Sequence, residues 1–530
     1  MSAGARRRLL AVCLTAALAG WLMPVTPAGA FPLEVVPADH WAYKTLYRLA
    51  AWGLAPLWAA SARPLTRMEL AEMVAWGLER LAAERTSGAG PSRPAPRSSL
   101  EDLESLVLAF SDELALLGYR VINPPMGPAA STVTGWGLKF ERAVVARVEA
   151  GTPRWTDRWP ERSEGSFLQL EARAVLGLGP ALAAGTEIRR GLLWGADRLG
   201  GVPRAYVSGE TMGVRAQAGR DSLWWGPGSR GAFLLSDNAG PLEAVRLTAN
   251  WGTLRLTRIV APVDYQVGRV LYGMRYDWLP RDNLRLGFGE TVVGTGGLYA
   301  PYIFNPIPGL NYALSLWNRY RGQGLDDNYS FTLDFDWRVR PGVLAYGEVL
   351  FDDIVFGALG IGKPNPYPHR IGGLLGAQLS NPFGLTRSDL RFEHSRVSNW
   401  TYTTSRNLND YVRDGRSLGH WCAPDCELWT VELTRRLAAE ASASVAYDLV
   451  RKGEGRLGQF WSDPDDARDR HYMWGVIETT HALRLGYSWM QRGGLSQAVS
   501  LTWSAISNAG HVSGQNRHDW YFWWEARHEF

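Results

Sequence analysis

The sequence predicts an all-β fold, an antiparallel transmembrane β-barrel of about 18 strands preceded by a small α-helical module. Three features favour this fold. Apolar and polar residues alternate with a period of two from residue 131 to the end of the chain. Aromatic residues concentrate near the ends of these alternating stretches. The chain also begins with a predicted export signal.

The composition is that of an ordered and nearly neutral protein. Of the 530 residues, 46% are hydrophobic and 20% are charged. The formal net charge is +4, but Arg6, Arg7 and Arg8 belong to the predicted leader. Removing these three from the 56 basic side chains leaves 53, against 52 acidic ones. We therefore expect no nucleic-acid partner, because such proteins carry a marked basic excess.

Residues 1–30 are predicted to be a signal peptide. A basic cluster precedes an apolar stretch from Leu9 to Trp21, and Ala28-Gly29-Ala30 forms a small-residue cleavage site. Cys13 lies inside the apolar stretch and not at its end, so lipidation is not expected. No later segment has the roughly 18 consecutive apolar residues of a membrane-spanning helix. The predicted destinations are the periplasm, the medium and the outer membrane.

Residues 31–84 have the spacing of two short helices. Trp41 and Leu46 recur at helical intervals before Gly53 breaks the pattern, and Thr66 caps the second helix. Two helices of this length bury little surface on their own. They are therefore predicted to form a small module beside the barrel.

Two further segments precede the barrel. Residues 85–99 are rich in Gly, Pro, Ser and Arg and are predicted to be a flexible linker. Residues 100–118 form one amphipathic helix, with an apolar stripe that includes Leu103 and Phe110. This helix packs either on its own domain or against a second chain.

The clearest strand pattern runs from Phe331 to Val339. It places Phe, Leu, Phe, Trp and Val on one face and Thr, Asp, Asp and Arg on the other. Stretches of this kind, separated by turn residues, fill residues 131–530. At roughly 22 residues for each strand and its connection, they give about 18 strands.

Two architectures bury one face of such strands, a soluble sandwich and a barrel in lipid. The placement of aromatic residues favours the barrel, because amphipathic rings collect at membrane interfaces. The last stretch, from Trp520 to the terminal Phe530, alternates aromatic and polar residues and resembles the assembly signal of bacterial outer-membrane barrels. His528 is an exception to this pattern, because it is a polar residue on the face of the strand that is otherwise apolar.

The sequence contains no recognisable catalytic arrangement, so we expect neither an enzyme nor a cofactor. The run from Gly226 to Gly231 matches a dinucleotide-binding fingerprint by letter, but no strand and helix flank it. Cys422 and Cys426 are the only cysteines after the leader, and in an exported chain they are predicted to form a disulfide. A metal site with His420 is the alternative. This pair lies in residues 398–427, which are predicted to be a surface loop.

Part of the helical module resembles one S-layer homology unit. Val36 to Tyr43 match its Asp/His-Trp-Ala opening, and Leu65 to Glu69 match its Thr-Arg-Ala-Glu closing with Met68 in place of Ala. The resemblance implies binding to acidic, peptidoglycan-linked cell-wall polymers, with Trp41 and Arg67 as the contacts. Arg pairs with carboxylates in a fork, and an indole stacks on sugar rings. A small helical plug or spacer is the alternative.

A second resemblance spans most of the predicted barrel. Its main motif consists of Trp224, Trp225, Gly226, Pro227, Gly228, Ser236, Asp237 and Asn238. Further motifs, including Tyr346-Gly347-Glu348 and Gly419-His420, follow it along the chain. In this order the motifs resemble the fingerprint of the capsule-assembly Wzi family. The resemblance implies an outer-membrane barrel with a periplasmic helical N-terminus that holds polysaccharide at the cell surface without catalysis. We expect the Trp-Trp-Gly-Pro-Gly run to fold into the lumen and pack there.

Two long segments combine aromatic rings with Arg, the mixture that an acidic polysaccharide requires. The candidates in these glycan-binding loops are Trp317, Arg319, Tyr320, Arg321, Trp400, Tyr402, Arg406 and Arg413. We therefore predict a non-enzymatic protein, surrounded by outer-membrane lipid, that binds or anchors surface or capsular polysaccharide during capsule assembly. The S-layer resemblance adds a tether to peptidoglycan-linked polymer. The alternative is a porin-like channel for small solutes.

Overall fold

The computed structural model describes residues 31–86, 95–119, 136–151, 165–179, 181–191, 201–320, 327–353, 369–404, 409–438, 440–459, 472–491 and 495–529. The predicted signal peptide and most of the predicted linker lie outside these ranges, as do Arg321, Arg406 and Phe530. None of the helices in the described part of the chain is long and apolar enough to cross a membrane.

Eighteen strands of the described ranges form one closed antiparallel barrel, as predicted. The last strand pairs with the first, from Tyr521 opposite Gly151 to Glu529 opposite Ala143, so these strands leave no open edge. The strands are β1 Trp136–Gly151, β2 Gly165–Leu178, β3 Leu182–Gly191, β4 Gly201–Thr211, β5 Val214–Asp221, β6 Leu242–Trp251, β7 Leu254–Asp264, β8 Arg269–Arg281, β9 Leu284–Gly294, β10 Asn328–Arg340, β11 Val343–Asp353, β12 Arg370–Ser380, β13 Ser388–Val397, β14 Cys426–Ala438, β15 Ala441–Lys452, β16 Glu478–Met490, β17 Leu495–Ser507 and β18 Arg517–Glu529.

The two ends of the barrel differ in the length of their connections. At one end tight turns join the strands, as between Arg340 and Val343 in β10 and β11. At the other end the connections are long, including residues 295–327 and 398–425. In bacterial outer-membrane barrels the short turns face the periplasm and the long loops face outside. We name the two ends periplasmic and outer on this basis.

Strand β10 shows how the faces are used. Thr332, Asp334 and Asp336 are buried and point into the lumen, whereas Leu333 and Trp337 are exposed on the outer surface. The charges therefore lie inside and the apolar side chains outside, which is the arrangement of a barrel in lipid and the reverse of a soluble sandwich.

The N-terminal residues form a compact group of helices, here called the plug and comprising residues 31–86 and 95–119. Its helices are α1 Trp41–Trp52, α2 Arg67–Thr86, α3 Arg97–Ala109 and α4 Ser111–Leu116. A two-residue strand, Val35–Val36, pairs with Leu65–Thr66. The plug contacts inward-facing side chains of the wall, and Trp52 lies against the turn at Gly342. It therefore occupies the periplasmic end of the lumen.

The structure differs from the sequence prediction between residues 100 and 118. Two helices replace the single predicted one, because the backbone at Phe110 leaves the helical region with φ −119° and ψ 25°. Leu103, Leu106 and Leu114 are buried in the same core as α1 and α2. The apolar stripe thus packs on its own chain, which was one of the two predicted alternatives.

Two outer connections fold back into the barrel. Residues 222–241, here called the strap, cross the lumen and include the short helix Asp237–Ala239. Residues 398–404 and 409–425, here called the lid, cover the strap from the outer side and include the paired strands Val412–Arg413 and Arg416–Ser417. The prediction of a surface loop at residues 398–427 is wrong for much of its length, because Trp400 and Tyr402 are buried there.

The face assignment predicts how charge affects the stability of the barrel. We expect Leu333→Arg to lower the free energy of unfolding by about 2–4 kcal/mol, because Leu333 faces lipid near the middle of β10. The matched change Val339→Arg, on the same face close to the end of that strand, should cost about 0–1 kcal/mol. Chemical denaturation in lipid vesicles measures both values. Equal effects at the two positions would contradict the outward orientation.

Candidate functional site

The plug is fixed to the barrel by buried carboxylates. Glu69 accepts hydrogen bonds from the backbone and hydroxyl of Thr66, and its second oxygen accepts from Arg255 of β7 at 2.7 Å. The amide of Glu69 donates back to the Thr66 hydroxyl at 3.2 Å, which completes a helix capping box. Glu34 accepts from Arg173 of β2 at 2.6 Å. Acidic groups of the plug are therefore paired with arginines of the wall.

These pairs shift the pKa values of the plug carboxyls. Burial alone would raise the pKa of Glu34, but Lys139, Arg173 and Arg67 lower it to about 2. Burial also opposes ionisation of Glu69, and Arg255 with two other arginines lowers its pKa to about 2. Both groups are therefore charged in the docked plug at neutral pH.

A network of charges lies where the plug meets the middle of the lumen. Arg275 contacts Asp277 and Asp334 at 2.8 and 2.9 Å, and Arg285 contacts the same two carboxylates at 2.9 and 2.5 Å. The hydroxyl of Tyr47 on α1 donates to Asp336, the next carboxylate of this network, at 2.9 Å. The plug thus supplies a hydrogen bond to a fully buried charge cluster of the wall.

The strap is held by pairing with the plug and by carboxylates of the wall. Trp224 and Trp225 form a two-residue strand that pairs with Ala62–Arg63 of the plug. The backbone amides of Ser229 and Arg230 donate to Glu393 of β13 at 2.7 and 3.0 Å. The Trp-Trp-Gly-Pro-Gly run is therefore packed inside the lumen, in agreement with the prediction from the sequence.

The lid binds the strap mainly through side chains that contact backbone. Tyr402 and Tyr411 donate to the carbonyl oxygens of Phe233 and Leu234 at 2.6 and 2.7 Å. The hydroxyl of Ser236 donates to the carbonyl of Gly419 at 2.5 Å, and Asn238 donates to that of Ser417 at 2.9 Å. Ser236, Asp237 and Asn238 of the family fingerprint thus lie where strap and lid meet. One continuous apolar core joins plug, strap and lid.

Two large cavities lie beside the plug in the described part of the structure. One of about 590 Å³ lies towards the periplasmic turns, and one of about 750 Å³ lies between the plug and strands β1 to β5, β17 and β18. Trp41 lines both, so its indole lies between them, and 44% of this residue is exposed. The larger cavity is further lined by charged side chains, including Arg63, Arg142, Glu171, Arg189 and Arg527. Both volumes lie in the range of small-ligand sites.

Most charges around the larger cavity are paired with one another. Arg189 contacts Glu171 and Glu187 at 3.3 and 2.8 Å, and Arg173 contacts Glu141 at 3.3 Å. Such pairs present both donors and acceptors to the space that they line. Sequence reasoning did not select these residues. Their only signal was the alternation of charged and apolar positions along β1 to β3.

The predicted cell-wall contacts have different surroundings. Trp41 is accessible from the cavities. Arg67 instead donates to both oxygens of Glu113 at 2.6 and 2.9 Å and to the carbonyl of Ala109 at 2.7 Å. Its guanidinium therefore joins α2 to α4.

The predicted glycan-binding residues do not form one cluster. Tyr402 is 0% exposed and Trp400 is 4% exposed. Arg413 contacts Glu243 at 3.0 Å. Trp317 is exposed on a helix at the outside of the barrel. The side chains of Arg319 and Tyr320 lie outside the described part of the structure.

A disulfide joins Cys422 of the lid to Cys426, the first residue of β14, with their Cα atoms 5.8 Å apart. His420 lies beside them, fully buried, and accepts from the amide of Cys422 through Nδ1 at 3.2 Å. Burial and the nearby Lys452 lower the pKa of His420 to about 3. Within the described ranges, no three His, Cys, Asp or Glu side chains are grouped to hold a metal ion.

A closed antiparallel barrel with apolar side chains outside, paired charges inside and short turns at one end defines an outer-membrane β-barrel protein. The family model of the capsule assembly protein Wzi matches residues 163–520, which is more than half of the chain. The chain belongs to this family. No curated protein matches the sequence.

Solved structures resemble the fold. The chain is similar to Wzi of Escherichia coli, described as an outer-membrane protein of group 1 capsule assembly and a carbohydrate-binding β-barrel. The TM-score is 0.61 at 14% identity, and the match covers 93% of this chain and 99% of that one. OprD of Pseudomonas aeruginosa matches with a TM-score of 0.41 at 10% identity, covering 74% of this chain and 94% of the other. OccD3 of the same organism matches with a TM-score of 0.43 at 11% identity, covering 77% and 95%.

Acidification should weaken docking of the plug in two stages. The Nδ1 atom of His40 accepts from the amide of Ala42, and burial together with Arg173 and Arg67 lowers its pKa to about 4. Because an undocked His40 binds a proton more readily, docking should weaken as the pH falls from about 6.5 to 4. Glu34 and Glu69 have depressed pKa values, so their contribution is complete above about pH 4.5 and is lost as the pH falls towards 2.

Hydrogen exchange in α1, corrected for the intrinsic effect of pH, measures this docking. Glu69→Gln should reduce the change below pH 4.5 and leave the change between pH 6.5 and 4 in place. Constant protection of α1 from pH 7 to 3 would contradict both stages.

Proposed function

We propose that this chain binds surface polysaccharide in the outer membrane and serves capsule assembly or attachment without catalysing a reaction. Membership of the Wzi family is the observation that carries this proposal. The similar Wzi barrel of Escherichia coli, described as carbohydrate-binding, adds support. We further propose that the plug faces the periplasm, because it lies at the end with the short turns.

The two cavities beside Trp41 are the proposed binding site. An indole gives a flat apolar surface for a sugar ring, and the paired Arg and Glu side chains around it give donors and acceptors for hydroxyl groups. Since arginines such as Arg189 are already paired with carboxylates, hydroxyl recognition is better supported than strong binding of carboxylates. A segment of a few sugar residues is the proposed occupant.

The lid residues are given a structural role in this proposal. Tyr402 uses its hydroxyl to hold the strap, and the ring stacks on Tyr411 with centroids 5.4 Å apart. A buried ring in this position contacts a glycan only if the lid moves. The exposed indole of Trp41 needs no such movement.

The tether to a cell-wall polymer has less support. Its contact with carboxylates was assigned to Arg67, whose donors are engaged by Glu113 and Ala109. Trp41 remains available to a sugar from either source. Co-sedimentation of the full chain with peptidoglycan sacculi, compared with binding to capsular polysaccharide, separates the two partners.

The cavity proposal predicts the effect of removing the indole. Trp41→Ala should weaken binding of purified capsular polysaccharide by roughly tenfold, which corresponds to about 1.4 kcal/mol. Trp251→Ala is the matched control, because Trp251 is exposed on the outer wall of β6. Binding to immobilised polysaccharide measures both, and heat-modifiable gel mobility verifies that each barrel is folded. Equal affinities of the two variants would exclude Trp41 as a contact.

A porin-like channel is the second candidate, since the two cavities adjoin at Trp41, Ser496, Ala498 and Glu525. The plug, strap and lid are packed together across the lumen, so we expect no steady conductance of the full chain in planar bilayers. A porin inserted under the same conditions is the control. Stable open steps from this protein would favour the channel.

A further inference from the structure

A helical hairpin lies on the outer wall of the barrel near its outer end. It comprises residues 299–320, with helices α5 Ala300–Phe304 and α6 Leu310–Tyr320. We propose that this hairpin is a membrane-embedded element whose exposed face contacts the lipid of the outer leaflet. The proposal concerns a second surface of the protein and does not depend on polysaccharide binding.

The alternation of the strands shows which side of the wall the hairpin covers. In β8, Arg275 and Asp277 point into the lumen, where they meet the charge network. Tyr272 and Tyr276 therefore point outwards, because side chains alternate along a strand. Tyr272 packs against Tyr302 of α5 with ring centroids 5.3 Å apart. The hydroxyl of Tyr276 donates to the carbonyl of Pro306.

The apolar contacts of the hairpin form a core of their own. Val270, Tyr272 and Val292 from outward faces of the wall enclose Tyr302, and Leu314 of α6 packs against the same group. This cluster is separate from the core that joins plug, strap and lid. Two independent cores on opposite sides of one sheet place the hairpin outside the barrel.

The hairpin also covers charges of the outer wall. Glu290 of β9 points outwards and is fully buried. Its carboxylate accepts from Tyr329, from the amide of Gly309 and from the side-chain amide of Asn311, each at 2.9 Å. Arg258 of β7, also on the outer side, donates to the carbonyl oxygens of Ile303 and Asn305. Without the hairpin, both charges would face the surroundings of the barrel.

The described side chains on the opposite face of the hairpin are apolar. Asn311 and Ser315 of α6 turn towards the wall and are buried, whereas Leu316 and Trp317 lie on a different face of the helix and are exposed. Phe304 is 77% exposed and Leu316 is 44% exposed. Among the described side chains of the hairpin, the large apolar ones that are exposed are Phe304, Ile307, Tyr312, Leu316 and Trp317. A loop in water would place its polar groups outside, so this orientation points to an apolar solvent.

Lipid is the proposed contact of the exposed face because the hairpin is continuous with the lipid-facing wall. The hairpin lies on β7 to β10, the same strands that expose Leu286 and Leu333 to lipid further along the barrel. A Trp and a Tyr at the outer end of this band are typical of the membrane interface. The hairpin thus covers the outward charges of Glu290 and Arg258 and presents an apolar surface to the acyl chains. Trp317, predicted from the sequence as a glycan contact, becomes a lipid contact in this proposal.

Nitroxide labels on the full-length protein test the proposal. Phe304→Cys and Leu316→Cys are labelled in vesicles of phosphatidylcholine and phosphatidylglycerol, and collision rates are measured with oxygen, which concentrates in lipid, and with a water-soluble nickel chelate. Leu501→Cys, 45% exposed on the lipid side of β17, marks lipid, and Val512→Cys, 54% exposed in the following outer turn, marks water. Unsubstituted protein controls for labelling of native cysteines.

The oxygen-to-nickel collision ratio at positions 304 and 316 should be at least fivefold higher than at 512 and within about twofold of that at 501. A ratio equal to that at 512 would overturn the proposal, since the hairpin would then lie in water. Low collision rates with both reagents, together with spin–spin broadening, would overturn it in favour of contact with a second copy of the chain. The value at 501 establishes in each sample that the barrel is inserted.

Discussion

The structure depends on the requirement that charges on the barrel strands are kept out of lipid and find partners, most of them in the lumen. A strand places alternate side chains on opposite sides, so lipid on one side favours strands whose charged side chains point inwards. A buried charge is tolerated when it is paired and hydrogen-bonded, as Arg275 and Arg285 are with Asp277 and Asp334. The third carboxylate at this level, Asp336, receives the hydroxyl of Tyr47 from the plug. Wall and plug therefore complete each other's polar interactions.

The same requirement explains how the lumen is filled. Glu34 and Glu69 of the plug meet arginines of the wall, while Glu393 and Glu348 of the wall meet backbone amides of the strap. In a wide pore the lumenal charges face water, but here many of them bind the plug or the strap. In the described part of the structure, two cavities of limited volume lie around Trp41.

The sequence predicted the barrel well because its signal is local. Alternation along Phe331 to Val339 and similar stretches needs only neighbouring residues to be read, and it also indicated about the right number of strands. The lid was predicted less well. Tyr402, Ser236 and Asn238 are polar because they satisfy buried backbone groups of another segment. Polarity of this origin resembles that of a surface loop, and only the fold separates the two cases.

The outer hairpin and the S-layer-like motif also show where prediction from the sequence fails, because the contacts involved form only in the folded chain. Glu290 interrupts the outward apolar face of β9, and its partner Asn311 is 21 residues away in a segment that was predicted to be a glycan-binding loop. In the plug, Thr66 and Glu69 form a capping box, while Arg67 between them joins α2 to Glu113 of α4. Arg67, which the motif associates with an external polymer, is thus engaged by contacts within the chain. An arginine guanidinium pairs with a carboxylate in the same way whether the carboxylate belongs to a polymer or to the chain itself. In the folded chain the guanidinium of Arg67 pairs with the nearby carboxylate of Glu113.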